Sequence, residues 1–251
     1  MNRHTHDERF ESLDEETFIR NQRWLEQSGP ALFPEPCALA MQRYDRFVVS
    51  LPEVADLSLA NAVEKRRREF SGGRIAAHAA LKKLGAGDSL SIPVGDARNP
   101  LWPAGFTGSI THTAGLAIAV VARTERLAAV GIDLELANAV QPELWPSLLR
   151  APEIELVSRM PAAEQSRWAT MMFSAKESFY KLQYPLTGEW VDFLEAEVSI
   201  SEKTGCFELF CSQSSVVRKL EGSRFAGRHL VGPEFLLTAL WLSPGQMQLP
   251  T

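Results

Sequence analysis

Apolar and polar positions divide the first part of the chain into a few predicted elements separated by breaker-rich loops. An acidic, weakly amphipathic stretch from Asp7 to Gln27 predicts a helix, which the run SGPALFPEP ends. The apolar pattern of residues 37–49, CALAMQRYDRFVV, predicts a strand. A helical pattern then runs from about Leu59 to Leu84, and the turn sequence GAGD closes it.

Short apolar runs dominate the middle and the end of the chain. After the Pro- and Gly-rich loop GDARNPLWPAG, strands are predicted at FTGSITH, GLAIAVVA and LAAVGIDLEL. Helical patterns return from about Pro142 to Tyr184, with Pro146, Pro152 and Pro161 at their starts or joints. Further strands are predicted at VDFLEAEVSI, GCFELF, RFAGRHLV and EFLLTALWL.

This order of elements predicts an α+β fold. Helices and strands in the first half are followed by helices and strands in the second, which indicates two similar α/β lobes. The first lobe would comprise residues 1–130, including a variable N-terminal extension at residues 1–36, and the second lobe residues 131–251.

Composition excludes two classes of protein. The 251 residues are 45% hydrophobic and carry a formal net charge of −5, whereas a general nucleic-acid-binding protein needs a basic face. The charged N-terminus lacks the apolar stretch of a secretory signal, and no apolar run reaches membrane-spanning length. The three cysteines form no close pair, which favours reduced thiols. We therefore expect a cytoplasmic protein with neither nucleic-acid nor membrane partners.

The last predicted helix before the C-terminal strands has two different faces. At about 100° per residue, six apolar residues form a core stripe: Trp168, Met171, Met172, Ala175, Phe179 and Leu182. Glu177 lies on the opposite side and is flanked by Phe173, Tyr180 and Lys181. Glu177 and Lys181 also have the i, i+4 spacing of an exposed ion pair. This second face therefore either lines a cleft or faces bulk solvent.

A second acidic motif, GIDLE, ends an apolar strand and places Asp133 and Glu135 on one face of it. An Asp-x-Glu pair of this kind is, taken alone, a common surface feature. Together with Glu177, however, the two carboxylates supply the hard oxygen ligands that Mg²⁺ prefers. Because Mg²⁺ is typically shared between protein carboxylates and substrate phosphates, we expect a phosphate-bearing substrate.

Basic side chains are concentrated in one segment of this acidic protein, VEKRRREFSGGRIAAHAAL. Its cations are Lys65, Arg66, Arg67, Arg68 and Arg74, and Arg98 follows in the loop DARNPLWP. Such a run is either a solvated helix face or, through charge and forked hydrogen bonds, a site for a terminal phosphate.

The strand end GSITHT adds hydroxyl groups and one imidazole to the polar residues near the GIDLE strand. Ser109, Thr111, His112 and Thr113 suit a pyrophosphate by their hydrogen-bonding chemistry, although a single histidine in such a run is often structural. The two interpretations stay open on this motif alone.

Taken in order, the basic helix with GR, GSITH, GIDLE and FSAKESFYK resemble the motifs of the surfactin-synthetase-type 4′-phosphopantetheinyl transferases. The loop RNPLWP and the form EFSGGRIAA resemble most the branch that contains enterobactin synthase component D. The resemblance covers roughly Glu64 to Lys181 well. It implies two α/β lobes in a pseudo-two-fold arrangement, with coenzyme A and Mg²⁺ in the cleft between them.

The resemblance also implies roles for individual residues. Lys65, Arg66 and Arg74, assisted by Arg98, would bind the 3′-phosphate of coenzyme A, although the register within Lys65 to Arg68 is open by one position. Ser109 and His112 would hold the pyrophosphate. Asp133, Glu135 and Glu177 would bind the metal, and Lys181 would lie near the phosphate that is transferred. Glu177, Lys181 and His112 are thus the expected catalytic residues, with Glu177 as metal ligand, general base or both.

The reaction implied is transfer of phosphopantetheine from coenzyme A to a serine of an apo acyl or peptidyl carrier protein, with release of 3′,5′-ADP. Siderophore, other nonribosomal peptide or polyketide biosynthesis would use the product, and the enzyme would be a monomer. A docking surface for the carrier is suggested near Trp145, Leu148, Leu149 and Arg150. Two alternatives are a non-catalytic coenzyme A-binding module and a Mg²⁺-dependent hydrolase of pyrophosphate bonds.

Overall fold

The computed structural model describes residues 14–44, 64–87, 90–95 and 98–245. Their helices are α1 (Glu15–Ser28), α2 (Glu64–Lys83), α3 (Trp145–Leu148), α4 (Ala151–Ser158), α5 (Ala162–Thr187) and α6 (Ser214–Lys219). Their strands are β1 (Ala38–Arg43), β2 (Phe106–Thr113), β3 (Leu116–Arg123), β4 (Ala129–Leu136), β5 (Ala196–Ser201), β6 (Cys206–Cys211), β7 (Arg224–Val231) and β8 (Phe235–Leu242). Helices and strands are mixed along the chain, as the α+β prediction requires.

The strands form two antiparallel sheets, one of three strands in the order β1-β3-β2 and one of five in the order β4-β8-β7-β6-β5. β3 lies at the centre of the smaller sheet, and seven of its eight residues are buried. This burial explains the continuous apolar run GLAIAVVA, because a strand covered on both faces needs no polar alternation. One apolar cluster contains residues of both sheets, among them Ile118 of β3, Ile132 of β4 and Leu237 of β8.

The edge strands β2 and β4 meet side by side, and hydroxyl groups of β2 bridge them. The amide of Ile132 donates to Ser109 Oγ over 3.1 Å, and the amide of Leu134 donates to Thr111 Oγ1 over 3.0 Å. Both bonds join a residue to the one 23 positions later, so the two strands run in the same direction. Side-chain hydroxyls thus replace the carbonyl acceptors of an ordinary ladder. We call this junction the seam.

Helix α5 packs closely on β4, as the core stripe predicted from its sequence requires. All six stripe residues are buried. Gly131 makes the close approach possible, because a Cβ there would lie 2.0 Å from the carbonyl oxygen of Ser178. Ser174 Oγ also donates to the main-chain oxygen of Asp133 over 3.1 Å. Helix and strand are therefore held in a fixed relation.

The helix starts or joints predicted at Pro146, Pro152 and Pro161 are confirmed, since α3, α4 and α5 begin at or next to these prolines, and α5 continues beyond Tyr184 to Thr187. Two other predictions of secondary structure need correction. The strand predicted from Val191 begins only at Ala196. Before it, Asp192 accepts from the amide of Leu194 and caps a 3₁₀ turn at Phe193–Glu195. Such local side-chain bonds compete with strand pairing. Helix α6 was not predicted from the sequence pattern.

Parts of two predicted elements are confirmed. The helix predicted at Asp7 to Gln27 is found as α1, and the strand predicted at residues 37–49 is found as β1. Residues 7–13, 45–49 and 59–63 lie outside the described ranges. Helix α1 begins after Asp14, whose carboxylate accepts from the amide of Thr17 over 2.7 Å. Among the described helices, none is both long and apolar enough to cross a membrane.

Candidate active site

A cavity of about 1470 Å³ opens where the carboxyl ends of β2 and β4 come together. Its wall combines these strand ends with α2 and with the turn between β7 and β8, and it includes Arg66, Glu69, His112, Glu135 and Glu234. Because strands that run in the same direction present their carboxyl ends to one edge, the seam brings GSITHT and GIDLE together. Functional groups of both predicted motifs therefore reach one cavity.

Asp133 is buried beside this cavity with only one of its oxygens occupied. Its side chain is 4% exposed, and its Oδ1 lies 2.5 Å from Lys181 Nζ and 3.2 Å from Thr111 Oγ1. Among the described residues, Oδ2 has no hydrogen-bond partner. A buried carboxylate oxygen without a partner is costly for the folded protein. This deficit points to a ligand rather than to a structural role.

Three carboxylates crowd around one lysine at this point. Burial and the negative charges of Asp133 and Glu177 raise the pKa of Glu135 well above its usual value, although Lys181 acts against them. Burial alone would lower the pKa of Lys181, but Asp133, Glu177 and Glu135 together outweigh it, and the pKa is raised. Lys181 is therefore charged at neutral pH, and one cation faces more negative charge than it can neutralise.

The carboxylates predicted to bind a metal are of the type that a divalent cation prefers, but they do not form a complete coordination site on their own. In the described part of the chain, no group of three or more His, Cys, Asp or Glu side chains has the geometry to hold an ion. The unpartnered Oδ2 of Asp133 is nevertheless a hard oxygen donor. A cation would also relieve the repulsion that raises the Glu135 pKa. Composition and charge thus suit Mg²⁺ together with a substrate phosphate.

His112 lies at the rim of the cavity in contact with α2. Its Nε2 is 3.3 Å from Arg66 Nη1 and 3.9 Å from Glu69 Oε2. Burial lowers the pKa of His112 to about 3, and the positive charges of Lys181 and Arg66 add to the effect. The ring is therefore neutral at pH 7. Because a guanidinium can only donate, Nε2 accepts from Arg66 and the ring proton is assigned to Nδ1.

The predicted phosphate-binding cations lie in different surroundings. Lys65 and Arg66 are exposed on the first turn of α2, and Arg66 lines the cavity. Arg74 is buried, with its guanidinium over the Phe70 ring and 3.4 Å from the carbonyl oxygen of Pro93. Arg98 is exposed, with a left-handed φ of 62°, in the loop that follows Pro93. Arg74 thus ties α2 to the loop that carries Arg98.

The hydroxyl groups of GSITHT serve the seam in this structure. Ser109 is buried, and its Oγ accepts from the amide of Ile132. Thr111, considered with the other polar groups of this run for a pyrophosphate but given no role of its own, contacts both Asp133 and Lys181. Ser109 and Thr111 alternate on one face of β2, which lies beside the acidic strand β4. That alternation was the available signal for a role of Thr111.

The carrier-docking surface suggested by sequence is wrong for Trp145 and Leu149. Trp145 is 8% exposed and Leu149 is 1% exposed, and both belong to the core beneath α5. Arg150 forms an ion pair with Glu197 over 2.5 Å. These residues support α5 instead of presenting an apolar face.

A cavity with a surplus of carboxylates at one side and exposed cations at its rim suits an enzyme that transfers a phosphate-linked group. Comparison with known proteins defines the class. A family model described as the 4′-phosphopantetheinyl transferase N-terminal domain matches residues 53–122. A second model, described as the 4′-phosphopantetheinyl transferase superfamily, matches residues 129–227.

Curated relatives agree with the family models. The 4′-phosphopantetheinyl transferase Svp of Streptomyces mobaraensis is 37% identical over 72% of this chain and 74% of its own length. PptT of Mycobacterium tuberculosis is 37% identical over 70% of this chain and 75% of its own. Enterobactin synthase component D of Salmonella typhi is 40% identical over 49% of this chain and 50% of its own. The chain belongs to the 4′-phosphopantetheinyl transferases, and it is a transferase enzyme.

Proposed function

We propose that this transferase moves the 4′-phosphopantetheine arm of coenzyme A to a serine hydroxyl of an apo acyl or peptidyl carrier protein, with Mg²⁺, and releases 3′,5′-ADP. The observation that carries the site assignment is the buried carboxylate of Asp133. One of its oxygens is held by Lys181 and Thr111, and the other has no protein partner. The family membership supports the reaction, and this deficit supports its assignment to the region of Asp133.

The metal-binding residues of the proposal are Asp133, Glu135 and Glu177. Support comes from the unsatisfied Oδ2 of Asp133 and from the raised pKa of Glu135, which lacks sufficient positive charge nearby. Mg²⁺ bound there would neutralise charge on the pyrophosphate of coenzyme A. Lys181 adds a fixed positive charge on the same side and donates to the phosphate oxygens that gain charge during transfer.

The phosphates of coenzyme A are assigned to the rim formed by α2 and the end of β2. Arg66 and Lys65 would bind the 3′-phosphate from the first turn of α2, and Arg98 would approach from the loop that Arg74 anchors. His112, neutral and adjacent to Arg66, would donate a hydrogen bond to a phosphate oxygen. Ser109 supports this arrangement through the seam, since its Oγ is bonded to the Ile132 amide.

Glu177 is the proposed general base as well as a member of the metal-binding set. It lies on α5 within electrostatic reach of Glu135 and Lys181, four residues before that lysine. Its carboxylate would accept the proton of the carrier serine while Lys181 and His112 hold the phosphate. Because Glu135 and Lys181 both lie close to Glu177, we assign the proton transfer to the side of the cavity that β4 forms.

The architecture proposed for this enzyme consists of two pseudo-two-fold lobes, residues 1–130 with an extension at 1–36 and residues 131–251, with the active site between them. The presence of two sheets supports this division. So do the two family matches, since the first ends at residue 122 and the second begins at residue 129. Four points stay predictions: membership in the surfactin-synthetase type, kinship with the enterobactin branch, a monomeric state and a cytoplasmic location. The peptidyl carrier domain of a siderophore synthetase or related peptide synthetase is the substrate we would test first.

Intact-mass spectrometry tests the proposal directly. Purified apo acyl and peptidyl carrier proteins are incubated with the enzyme, coenzyme A and Mg²⁺, with and without a chelator. A chelator-sensitive gain of one phosphopantetheinyl group on the carrier is expected. Release of 3′,5′-ADP without carrier modification would favour a pyrophosphate-bond hydrolase. Bound coenzyme A with no turnover on any carrier would favour a binding module.

A further inference from the structure

Helix α1 belongs to the predicted N-terminal extension, yet it contacts a wall of the candidate active-site cavity. That wall is the turn between β7 and β8, where Pro233 and Glu234 line the cavity. Arg20 Nη2 donates to Glu234 Oε1, and Asn21 Nδ2 donates to Glu234 Oε2 over 2.7 Å. Both oxygens of the Glu234 carboxylate are therefore bonded to α1, although this side chain lies at the cavity.

The backbone of the same turn also packs against α1. Trp24 lies one helical turn after Asn21, and a Cβ at Gly232 would lie 2.7 Å from the Trp24 ring. The amide of Gly232 donates to the carbonyl oxygen of Phe235 over 2.7 Å and closes the turn. Side chains of α1 thus hold both the carboxylate and the backbone of this turn.

Asn21 is a costly residue at this position if it serves stability alone. It is fully buried, and its second N–H bond goes to the carbonyl oxygen of Thr17 in its own helix over 2.8 Å. Among the described residues, Asn21 Oδ1 has no hydrogen-bond partner. A buried polar atom without a partner destabilises the folded protein. An apolar side chain would avoid this cost, but it could not hold Glu234.

The turn in its place holds the end of β4. The main-chain oxygen of Glu234 accepts from the Ala137 amide over 2.9 Å. This bond continues the β4–β8 ladder beyond its last pair, Leu136 with Phe235. Glu135 lies two residues before Ala137 and lines the same cavity. Because the ends of elements open more readily than their centres, a fixed Glu234 keeps the last bond closed and Glu135 in place.

We propose that Glu234 is a positioning residue of the transfer reaction, which α1 holds through Arg20 and Asn21 and which keeps the Glu135 carboxylate in place. The proposal rests on the proposed function, since it assumes that Glu135 belongs to the metal-binding set. Glu234 itself binds neither metal nor coenzyme A in this account, because α1 occupies both of its oxygens. Outer partners of a metal site typically change metal affinity or activity by about 10- to 100-fold when removed.

The test breaks the contact from each side and then from both. Glu234→Leu removes the carboxylate and keeps the main-chain oxygen, Asn21→Leu removes the buried amide, and the double variant combines the two. Glu15→Ala is the control, because the ion pair of Glu15 with Arg43 joins the same helix to β1 instead. Each protein is checked for folding by circular dichroism and assayed for kcat and for KM for coenzyme A. Its Mn²⁺ affinity is measured without carrier by electron paramagnetic resonance.

We expect each single variant to lower kcat and Mn²⁺ affinity by about 10-fold. The KM for coenzyme A should change little, because the rim assigned to its phosphates lies on α2 and β2. The double variant should lose no more than the single ones, since all three break the same contact. Glu15→Ala should keep wild-type values.

Three results would overturn the proposal: wild-type values in Glu234→Leu, losses that multiply in the double variant, or a similar loss in Glu15→Ala. If Glu234→Leu does not fold, Arg20→Ala decides, because the Arg20 side chain is 47% exposed and its removal leaves the core intact. About a 3-fold loss of kcat is expected there, within the range of one partly exposed ion pair, and an unchanged kcat would again overturn the proposal. Failure of the wild type to modify any carrier would instead refute the proposed function.

Discussion

Two lysines of α5, five residues apart, form ion pairs of nearly the same length, one fully buried and one partly exposed, and the two pairs serve different purposes. Lys176 Nζ lies 2.6 Å from Glu153 Oε2, and Lys181 Nζ lies 2.5 Å from Asp133 Oδ1. Lys176 also donates to the carbonyl oxygens of Leu148 and Phe193. Both oxygens of Glu153 are bonded, Oε1 to the Val198 amide and Oε2 additionally to the Arg150 amide. The first pair is complete within the protein.

The second pair is incomplete. Asp133 Oδ2 has no partner among the described residues, and two further carboxylates face the same lysine. Burial lowers the pKa of Lys176, which Glu153 partly offsets, whereas the three carboxylates raise the pKa of Lys181. The N···O distance therefore does not distinguish a structural pair from a functional one. What distinguishes them is whether every polar atom has a hydrogen-bond partner, together with the greater exposure of the Lys181 side chain, 27% against 2% for Lys176.

The largest effect is expected where the incomplete pair is broken. Asp133→Ala should lower the transfer rate by at least about 10³-fold, the kinetic equivalent of the several kcal/mol that a metal supplies. The fold should persist, because the bonds lost are those of Oδ1 to Lys181 and Thr111, and the negative charges of Glu177 and Glu135 still face the Lys181 ammonium. Carrier modification measured by mass spectrometry, together with circular dichroism and thermal unfolding, checks both parts. Full activity in this variant would refute the metal assignment.

Breaking the complete pair should act on stability instead. Lys176→Met leaves Glu153 charged and buried, and we expect the free energy of unfolding to fall by about 3–5 kcal/mol. The kcat of the folded fraction should change little. Denaturant unfolding and an active-site-normalised assay measure the two quantities.

Two matched variants accompany the Lys176 experiment. The same change at the other lysine, Lys181→Met, should reduce kcat far more than stability. The double variant Lys176→Met/Glu153→Leu should regain most of the lost stability, since no charge is left unpaired. If Lys176→Met lost activity but kept its stability, the comparison of the two pairs would be wrong.

The rim of the cavity sharpens the comparison with a smaller effect. Arg66→Ala removes a charged donor beside His112, and KM for coenzyme A should rise about 10-fold, close to 1.4 kcal/mol. The structural control is Arg159→Ala, an exposed arginine on α4 that pairs with Glu155. An unchanged KM in Arg66→Ala would remove this residue from the phosphate site.

The last prediction concerns stability rather than transfer, through the pH dependence of His112. Its folded pKa of about 3 lies below the ordinary 6.5, so only the unfolded state binds a proton between these values. Stability should therefore fall as the pH drops from about 6.5, and His112 should contribute up to about 1.4 kcal/mol per pH unit to the slope. His112→Gln should reduce that slope in denaturant titrations between pH 4 and 7. An unaltered slope would show that the imidazole is not buried neutral.

The sequence pattern predicted what depends on periodicity. The core stripe of α5, the strand at GIDLE and the apolar run of β3 were identified because burial on one or both faces leaves a regular apolar signal. Asp133 and Glu135 were selected by their alternation at a strand end. The structure adds that Glu135 lines one cavity together with His112 and Arg66.

The remainder depends on contacts between distant segments, which leave no periodic signal. Lys176 and Lys181 are both polar residues of one helix, and only the third dimension shows that one is fully bonded. Trp145 and Leu149 are buried because α5 covers them, whereas their local sequence gave no such indication. The contacts of Thr111 were not predicted, because its three partners come from two other elements.

Gly131 shows that the absence of a side chain can be as necessary to an active site as the presence of a charged group. It brings no reactive group to the cavity, yet a single methyl there would meet the carbonyl of Ser178 at 2.0 Å. Helix and strand would have to separate, and Asp133 and Glu135 would move away from Glu177 and Lys181. A variant at this position could retain every acid and base of the enzyme and still be inactive. The catalytic geometry thus depends in part on having no side chain at residue 131.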